Sequence, residues 1–440
     1  MPGILLATAY TCLFLLLMRR MRFFNGIPGL PWHHLSYLFI LKILAGMVLW
    51  AIYTYVYPDR QAADIFKFYD DGLVMFSALP ERPVDYLQMV FGIRNDTPYF
   101  SEEYYMRMNN WFRQYESNVY NDAHTVIRYN AAVRLFSFGE YHVHTVVSAF
   151  LALTGMTGIY RIFVHRLPGR ERALMISIFL LPSVLLWTSG VIKESLLFFG
   201  LGIMLHQVFR LMDGRISMIG ILVLAASLVL NFYLKFYVLM SLLPALLLYA
   251  ITRRRKPWSI PIWALLVYAG GILLALNIHM IRPGFDVLGL LALKQRDFIG
   301  LAQGTHAGSF VMPPRLDPDL LSFIMHAPYA LYITLLGPMI HFQGALGSIS
   351  AMENVLVVSA MVIMLLYSRP WAQVDRPLVI SLFAYILLLA LVIGWTTPVI
   401  GAIVRYRTPL LPFLLIMALL LFDHTRAISR WPVLKHIISA

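Results

Sequence analysis

Four short stretches of this chain carry the residues best suited to chemistry. The first, Ala63-Asp64-Ile65-Phe66-Lys67-Phe68-Tyr69-Asp70-Asp71-Gly72, places three carboxylates close together. On a helix Asp64 and Asp71 share a face, while Asp70 lies about 100° away. A carboxylate held beside apolar neighbours gains basicity and can take a proton from a hydroxyl. The same acids would also serve simply to solvate a loop. The second stretch, Asn121–Asn130 leading into Arg134, offers Arg128 and Arg134. A guanidinium can grip a phosphate with two parallel hydrogen bonds, or pair with a nearby loop acid. The third is Leu181-Pro182-Ser183-Val184-Leu185-Leu186-Trp187-Thr188-Ser189-Gly190-Val191-Ile192-Lys193-Glu194-Ser195, a turn between two apolar runs that carries Lys193 and Glu194, with Lys235 at a later turn. Charges at such depth are expensive, so they form a structural salt bridge or do work. The fourth is Val404-Arg405-Tyr406-Arg407-Thr408-Pro409-Leu410-Leu411-Pro412, where two arginines open an apolar run. They could anchor the helix at an interface or meet an anion at its N-terminus. The prolines that follow predict an extended or irregular approach there, in which Arg405 and Arg407 point the same way and bracket one phosphate. His142 and His144 are two apart near a helix start and read as interfacial, not as metal ligands.

The elements that position these residues are membrane helices. Of the 440 residues 60% are hydrophobic and only 13% charged, against roughly 45–50% and 25% in soluble domains, and mean hydropathy is +0.72. Most of the chain must face lipid. An all-α polytopic fold is expected, with about eleven transmembrane helices at 3–18, 35–57, 141–164, 173–190, 195–211, 216–234, 236–251, 259–279, 354–368, 377–395 and 403–422. Arg19, Arg20 and Arg22 follow the first apolar run, which argues for an outside-to-inside helix and against a signal peptide. With that orientation the cytoplasmic connections, together with Arg161 and Arg210 at their helix ends, hold eighteen Lys/Arg and four Asp/Glu, among them Arg253-Arg254-Arg255-Lys256. The net charge of +13 is then a topogenic signal and calls for no nucleic acid. Two long segments, 58–140 and 280–353, fall outside the cytoplasm. The first is expected to carry amphipathic helices on the membrane surface, the second an interfacial or re-entrant helix at 320–340, with 1–440 forming a single membrane domain.

This topology puts Asp64, Arg128, Lys193, Lys235, Arg405 and Arg407 on one membrane face. Carboxylates for a base and cations for an anion suit a substrate that is half lipid and half phosphate. Phosphate-loop, dinucleotide, H-E-x-x-H and G-x-S-x-G signatures are absent. The one cysteine, Cys12, excludes disulfides and cysteine metal centres within the chain.

The chain resembles the GT-C superfamily of integral-membrane glycosyltransferases, which use polyprenyl- or dolichyl-phosphate sugars, and within it the poorly characterised bacterial members. The resemblance rests on "ADIFKFYDDG", "IRYNAAVRLFSFG", "PSVLLWTSGVIKES", the stretch from "APYALYITLLGPMIHF" to "SAMEN", and "RYRTPLLP". It implies an inverting transfer on the non-cytoplasmic face of a bacterial inner membrane. Asp64 is the position matching the superfamily's loop acid, with Asp70 and Asp71 beside it. The paired Asp-Glu of many members is absent, since Ile65 follows Asp64. Arg128, Lys193, Glu194, Lys235, Arg405 and Arg407 would hold the lipid phosphate. The partners implied are a lipid-linked sugar donor, a glycan, lipid or protein acceptor, and membrane lipid. Some branches use a divalent metal, but no dedicated ligand cage stands in this sequence, so no cofactor is expected. A polymerase or ligase of lipid-linked polysaccharide would use the same arginines. A transporter or flippase would instead place charges at mid-membrane in broken helices.

Overall fold

The computed structural model describes residues 2–57, 59–112, 120–282 and 284–438. Pro58 and residues 113–119 of the first long segment, and residue 283 of the second, lie outside the described residues. All regular structure among the described residues is helical, apart from two isolated bridges, Phe310 with Val399 and Ser368 with Phe422. This follows from the composition: apolar runs that face lipid have no water for their amides and must satisfy them within the helix.

Among the described residues eight helices are long and apolar enough to cross a membrane, and nine if one bent pair counts as a single crossing. The chain is an integral multi-pass membrane protein. The count differs from eleven for identifiable reasons. The two runs at 216–234 and 236–251 are arms of one helix, Met218–Thr252, broken at Lys235, whose backbone leaves the helical region at φ −149° and ψ 81°. The run at 173–190 is interrupted ahead of Pro182. Glu171–Met175 widens into a π turn, Ile176–Leu180; Leu181 is extended; the helix resumes as Pro182–Trp187. Proline lacks the N–H that would continue the ladder and disfavours the helical conformation for its predecessor. The last run divides into Ile400–Tyr406 and Leu411–Leu421, bent by 61°. The helix Leu320–Leu335 has 16 residues, about 24 Å at the α-helical rise, which is short for a hydrocarbon core of about 30 Å.

The chain gathers into two compact units. The first comprises the described residues up to His165 together with Leu185–Phe236; the second comprises Arg166–Val184 and the described residues from Tyr237 onward. In the first unit the central helix is Tyr141–Phe163. Its apolar window is 78% buried, whereas that of Gly3–Arg20 is 6% buried and lies at the periphery. Its partner is Lys193–Met212, and the backbones meet at glycine: a Cβ on Gly155 would collide with the Phe198 carbonyl, and one on Gly202 with that of Gly155. Small residues that admit a second backbone are the usual solution for packing in lipid. The segment after the second apolar helix forms Asp64–Phe76, which buries Ile65, Phe66, Phe68, Tyr69 and Met75. It packs on Ala123–Ser137, with Gly72 set against Asn130.

In the second unit, Arg376–Thr396 packs against Leu320–Leu335, with Gly394 closely apposed to the Ala330 carbonyl. The end of Leu411–Leu421 is capped by guanidinium groups. Arg170 donates to the carbonyls of Leu419 and Phe422, and Arg369 donates to that of Phe422. Cations at a helix C-terminus satisfy its orphan carbonyls and oppose its dipole. The helix Ile260–Asn277 sits at the rim, with 6% of its apolar window buried.

Candidate functional site

The first unit holds all three candidate carboxylates on one helix, in three different environments. Asp64 opens the helix, where a negative charge is favoured by the dipole. It is half-buried, next to the apolar cluster of Ala63, Ile65, Phe66, Leu49 and Ile192. Asp70 is engaged bidentately by Arg60, at 2.7 and 2.8 Å. Asp71 is buried and accepts the backbone amides of Asn109 at 2.7 Å and Asn110 at 2.8 Å. Burial pushes the Asp71 carboxyl up to about 6 despite those two hydrogen bonds. Asp71 thus fastens a distant segment of chain to the helix, and Asp70 holds Arg60.

The cations of this unit divide in the same way. Lys193, at the first turn of Lys193–Met212, lies 2.8 Å from Asp122 with its ammonium over the Phe68 ring. Glu194, fully buried, lies 2.7 Å from Lys235 at the break in Met218–Thr252. The helix break delivers the lysine; the carboxylate accounts for its burial. Arg128 donates to the Met89 carbonyl at 2.9 Å and lies over the Trp111 ring. Both contacts are to neutral groups. Arg134 is buried, donates to the Tyr69 carbonyl and lies over that ring, and burial lowers its basicity.

The second unit brings three of the quoted motifs together. Arg407, 1% exposed, donates to the Asn354 side-chain oxygen and lies 3.8 Å from Glu353. Glu353, itself buried, accepts from the Ser183 amide and, at 2.7 Å, from the Ser183 hydroxyl. The Arg407 guanidinium also faces the Thr334 carbonyl at 3.4 Å, leaving its Nε and Nη2 without a hydrogen bond. Of the extended or irregular approach expected around Arg407, the extended form is absent: a turn at 407–410 joins Ile400–Tyr406 to Leu411–Leu421. Arg405 lies in Ile400–Tyr406, and Arg407 is helical at φ −81° and ψ −3°. Two residues apart on a helix, they diverge by about 200°. Arg407 turns inward to Glu353; Arg405 remains half-exposed.

Several functional-looking residues were not singled out in the sequence. Glu353 lies within an apolar helix, Gly344–Leu366, and Lys42 within Trp32–Ala51. Lys42 is 1% exposed and donates to the Thr188 hydroxyl at 2.5 Å. A lone charge inside such a run is itself the signal that a partner exists. His144 proves buried in a hydrogen-bonded network with Asn130 and Ser137, not interfacial, while His142 rests its ring near Trp50. Among the described residues no three His, Cys, Asp or Glu side chains converge enough to share a metal ion. No family model matches this chain, and no curated protein or solved structure does either.

Proposed function

We propose that this protein is a membrane glycosyltransferase that moves a sugar from a polyprenyl-phosphate donor to an acceptor hydroxyl outside the cytoplasm, with Asp64 as general base. The observation that carries the reading is the place of Asp64: it heads the helix Asp64–Phe76, half-exposed and flanked by the apolar cluster of Ala63, Ile65, Phe66, Leu49 and Ile192. A base must reach its substrate, and Asp64 is half-exposed beside apolar neighbours, whereas Asp71 is buried. In the same unit Arg128, with its neutral partners, is the cation best placed to keep its charge for a leaving phosphate. Lys193, Lys235 and Arg407 each meet a carboxylate within the fold, so the reading assigns them to architecture first.

The topology that accompanies this reading counts both arms of the Lys235-kinked helix, the interrupted segment up to Trp187 and the bent pair at 400–421 as crossings. That restores eleven, and leaves the arginine-rich connections on the cytoplasmic side of a bacterial inner membrane. The test is release of polyprenyl phosphate from polyprenyl-phosphate sugars by the protein in nanodiscs. Wild type should release it, Asp64→Asn should be slower by at least about 10²-fold, and Asp70→Asn should stay near wild type. Full activity in Asp64→Asn ends the assignment.

A second reading has its own support. Lys42 and Glu353 sit well inside spanning helices, and Lys235 and Arg407 stand at helix breaks. Charges in broken helices characterise transporters. Protein-dependent movement of a labelled lipid-linked sugar across a vesicle membrane, with no polyprenyl phosphate released, would favour that reading.

A further inference from the structure

The first unit contains a serine, a histidine and an asparagine arranged as nucleophile, base and orienter. Ser137 Oγ lies 2.9 Å from His144 Nε2, and His144 Nδ1 lies 2.7 Å from Asn130 Oδ1. The Asn130 amide nitrogen donates to the Val126 carbonyl at 2.9 Å, which leaves Oδ1 as the group facing the ring. An amide oxygen accepts only, so Nδ1 carries the proton and Nε2 presents its lone pair to the serine hydroxyl. The imidazole is thereby set in the tautomer that can take the hydroxyl proton.

Two further observations surround this pair. Asn130, Arg134 and Ser137 recur on one face of the helix Ala123–Ser137. The Arg134 guanidinium is buried, with Nε lacking a hydrogen-bond partner, and so supplies an unused donor near the serine's helix end. The backbone also turns sharply just after the serine: Phe138 and Gly139 take φ of +52° and +80°. A left-handed phenylalanine is strained, and strain of this kind gathers at functional sites. The three triad side chains are fully buried, while Phe138 in the turn above is 80% exposed.

We propose that Ser137 is an acyl-accepting nucleophile activated by His144, reached when the turn at 138–140 opens, and that it takes ester-linked acyl groups from lipid. The site lies beside the start of a spanning helix, where acyl esters are presented. In the step, Ser137 Oγ attacks the ester carbonyl carbon and its proton passes to His144 Nε2. The C–O bond to the leaving alcohol then breaks, and His144 returns the proton to that alcohol. Water or an acceptor hydroxyl later removes the acyl group by the reverse sequence. Asn130 acts as a positioning residue through the ring.

A fluorophosphonate, which reacts with activated serines, tests this on the full chain in nanodiscs, with adducts located by peptide mapping. The expected adduct is on Ser137, is lost in Ser137→Ala and forms at least about 10²-fold more slowly in His144→Gln. Asn130→Asp keeps the acceptor and should label within about tenfold of wild type, whereas Asn130→Leu should fall as far as His144→Gln. Ser148 is the internal control: it is buried and hydrogen-bonded with the Tyr129 hydroxyl. No adduct on wild-type Ser137 overturns the proposal without recourse to any variant. Equal labelling of Ser148, or labelling unaffected by His144→Gln in protein of wild-type thermal stability, overturns it too.

Discussion

Breaking the ion pair of Arg407 and Glu353 should cost more stability than removing both charges together. The two groups are 3.8 Å apart and at most 2% exposed. At an effective dielectric constant of about 20, a unit-charge pair at this distance attracts by about 4 kcal/mol. That agrees with the roughly 3–5 kcal/mol lost when one partner of a buried pair is removed. Glu353→Gln leaves a buried guanidinium with Asn354 and the Thr334 carbonyl as its remaining oxygen partners. It also puts an NH2 group against a Ser183 donor. Arg407→Met leaves the carboxylate with the amide and hydroxyl of Ser183, so it should be the milder single change. The double variant has no charge to bury and should recover at least about half of the larger loss. The nine tryptophans allow thermal unfolding to be followed by intrinsic fluorescence in nanodiscs. Glu353→Gln should lower the midpoint by about 10 °C, taking roughly 2–4 °C per kcal/mol for a unit of this size. Single variants that each cost under about 1 kcal/mol, or a double variant as unstable as their sum, would refute the reasoning.

Three other measurements follow from the structure. Asp71 titrates near 6 when folded and near 3.8 when not, so the native state holds its proton more tightly between these values. Its contribution to stability should therefore be greatest below about pH 3.8 and fall by about 3 kcal/mol as pH rises to about 6; Asp71→Asn should flatten that slope, and an unchanged pH profile would contradict the assigned burial. Gly202→Val drives a side chain into the Gly155 backbone and should cost on the order of 1–3 kcal/mol or more, whereas Gly270→Val, with open space at its Cβ, should be close to neutral in the same thermal assay. In a Cys12→Ser background, Arg254→Cys should react with an impermeant maleimide only after cells are permeabilised and Glu102→Cys should react in intact cells; the reverse pattern would invert the topology on which the base assignment rests.

The sequence makes the helices legible because lipid imposes a single rule on apolar runs, and the runs at 141–164, 195–211 and 377–395 lie within long apolar helices. It also marks the break at Lys235, since a charge between two apolar runs needs either water or a partner. The partner's identity is not readable. Glu194 finds Lys235, Lys193 finds Asp122 and Glu353 finds Arg407 through packing of helices remote in sequence. Local patterns carry periodicity, and periodicity fixes which face a residue occupies without saying what that face will meet. The same limit explains Arg405 and Arg407. The prolines after them suggest extended or irregular chain; Tyr406 and Arg407 have helical backbone, and the irregular turn and bend fall between Tyr406 and Leu411.

What the structure adds is a criterion for sorting charges that composition treats alike. Where a cation and an acid are both buried and within ion-pair distance, each explains the other's presence, and neither requires a substrate. Lys235 with Glu194 and Arg407 with Glu353 meet that criterion, and Lys193 with Asp122 approaches it, its acid being more exposed. Arg128 does not, for its partners are a carbonyl and an indole ring. If a lipid phosphate binds in the first unit, charge balance then requires that it weaken with Arg128→Gln while Lys235→Met acts mainly on folding. A donor KM raised by Arg128→Gln at unchanged thermal midpoint, beside a lowered midpoint in Lys235→Met, is the expected pair of results. The opposite pair would mean that the buried lysine is released to the phosphate during turnover and that its ion pair with Glu194 is a resting state.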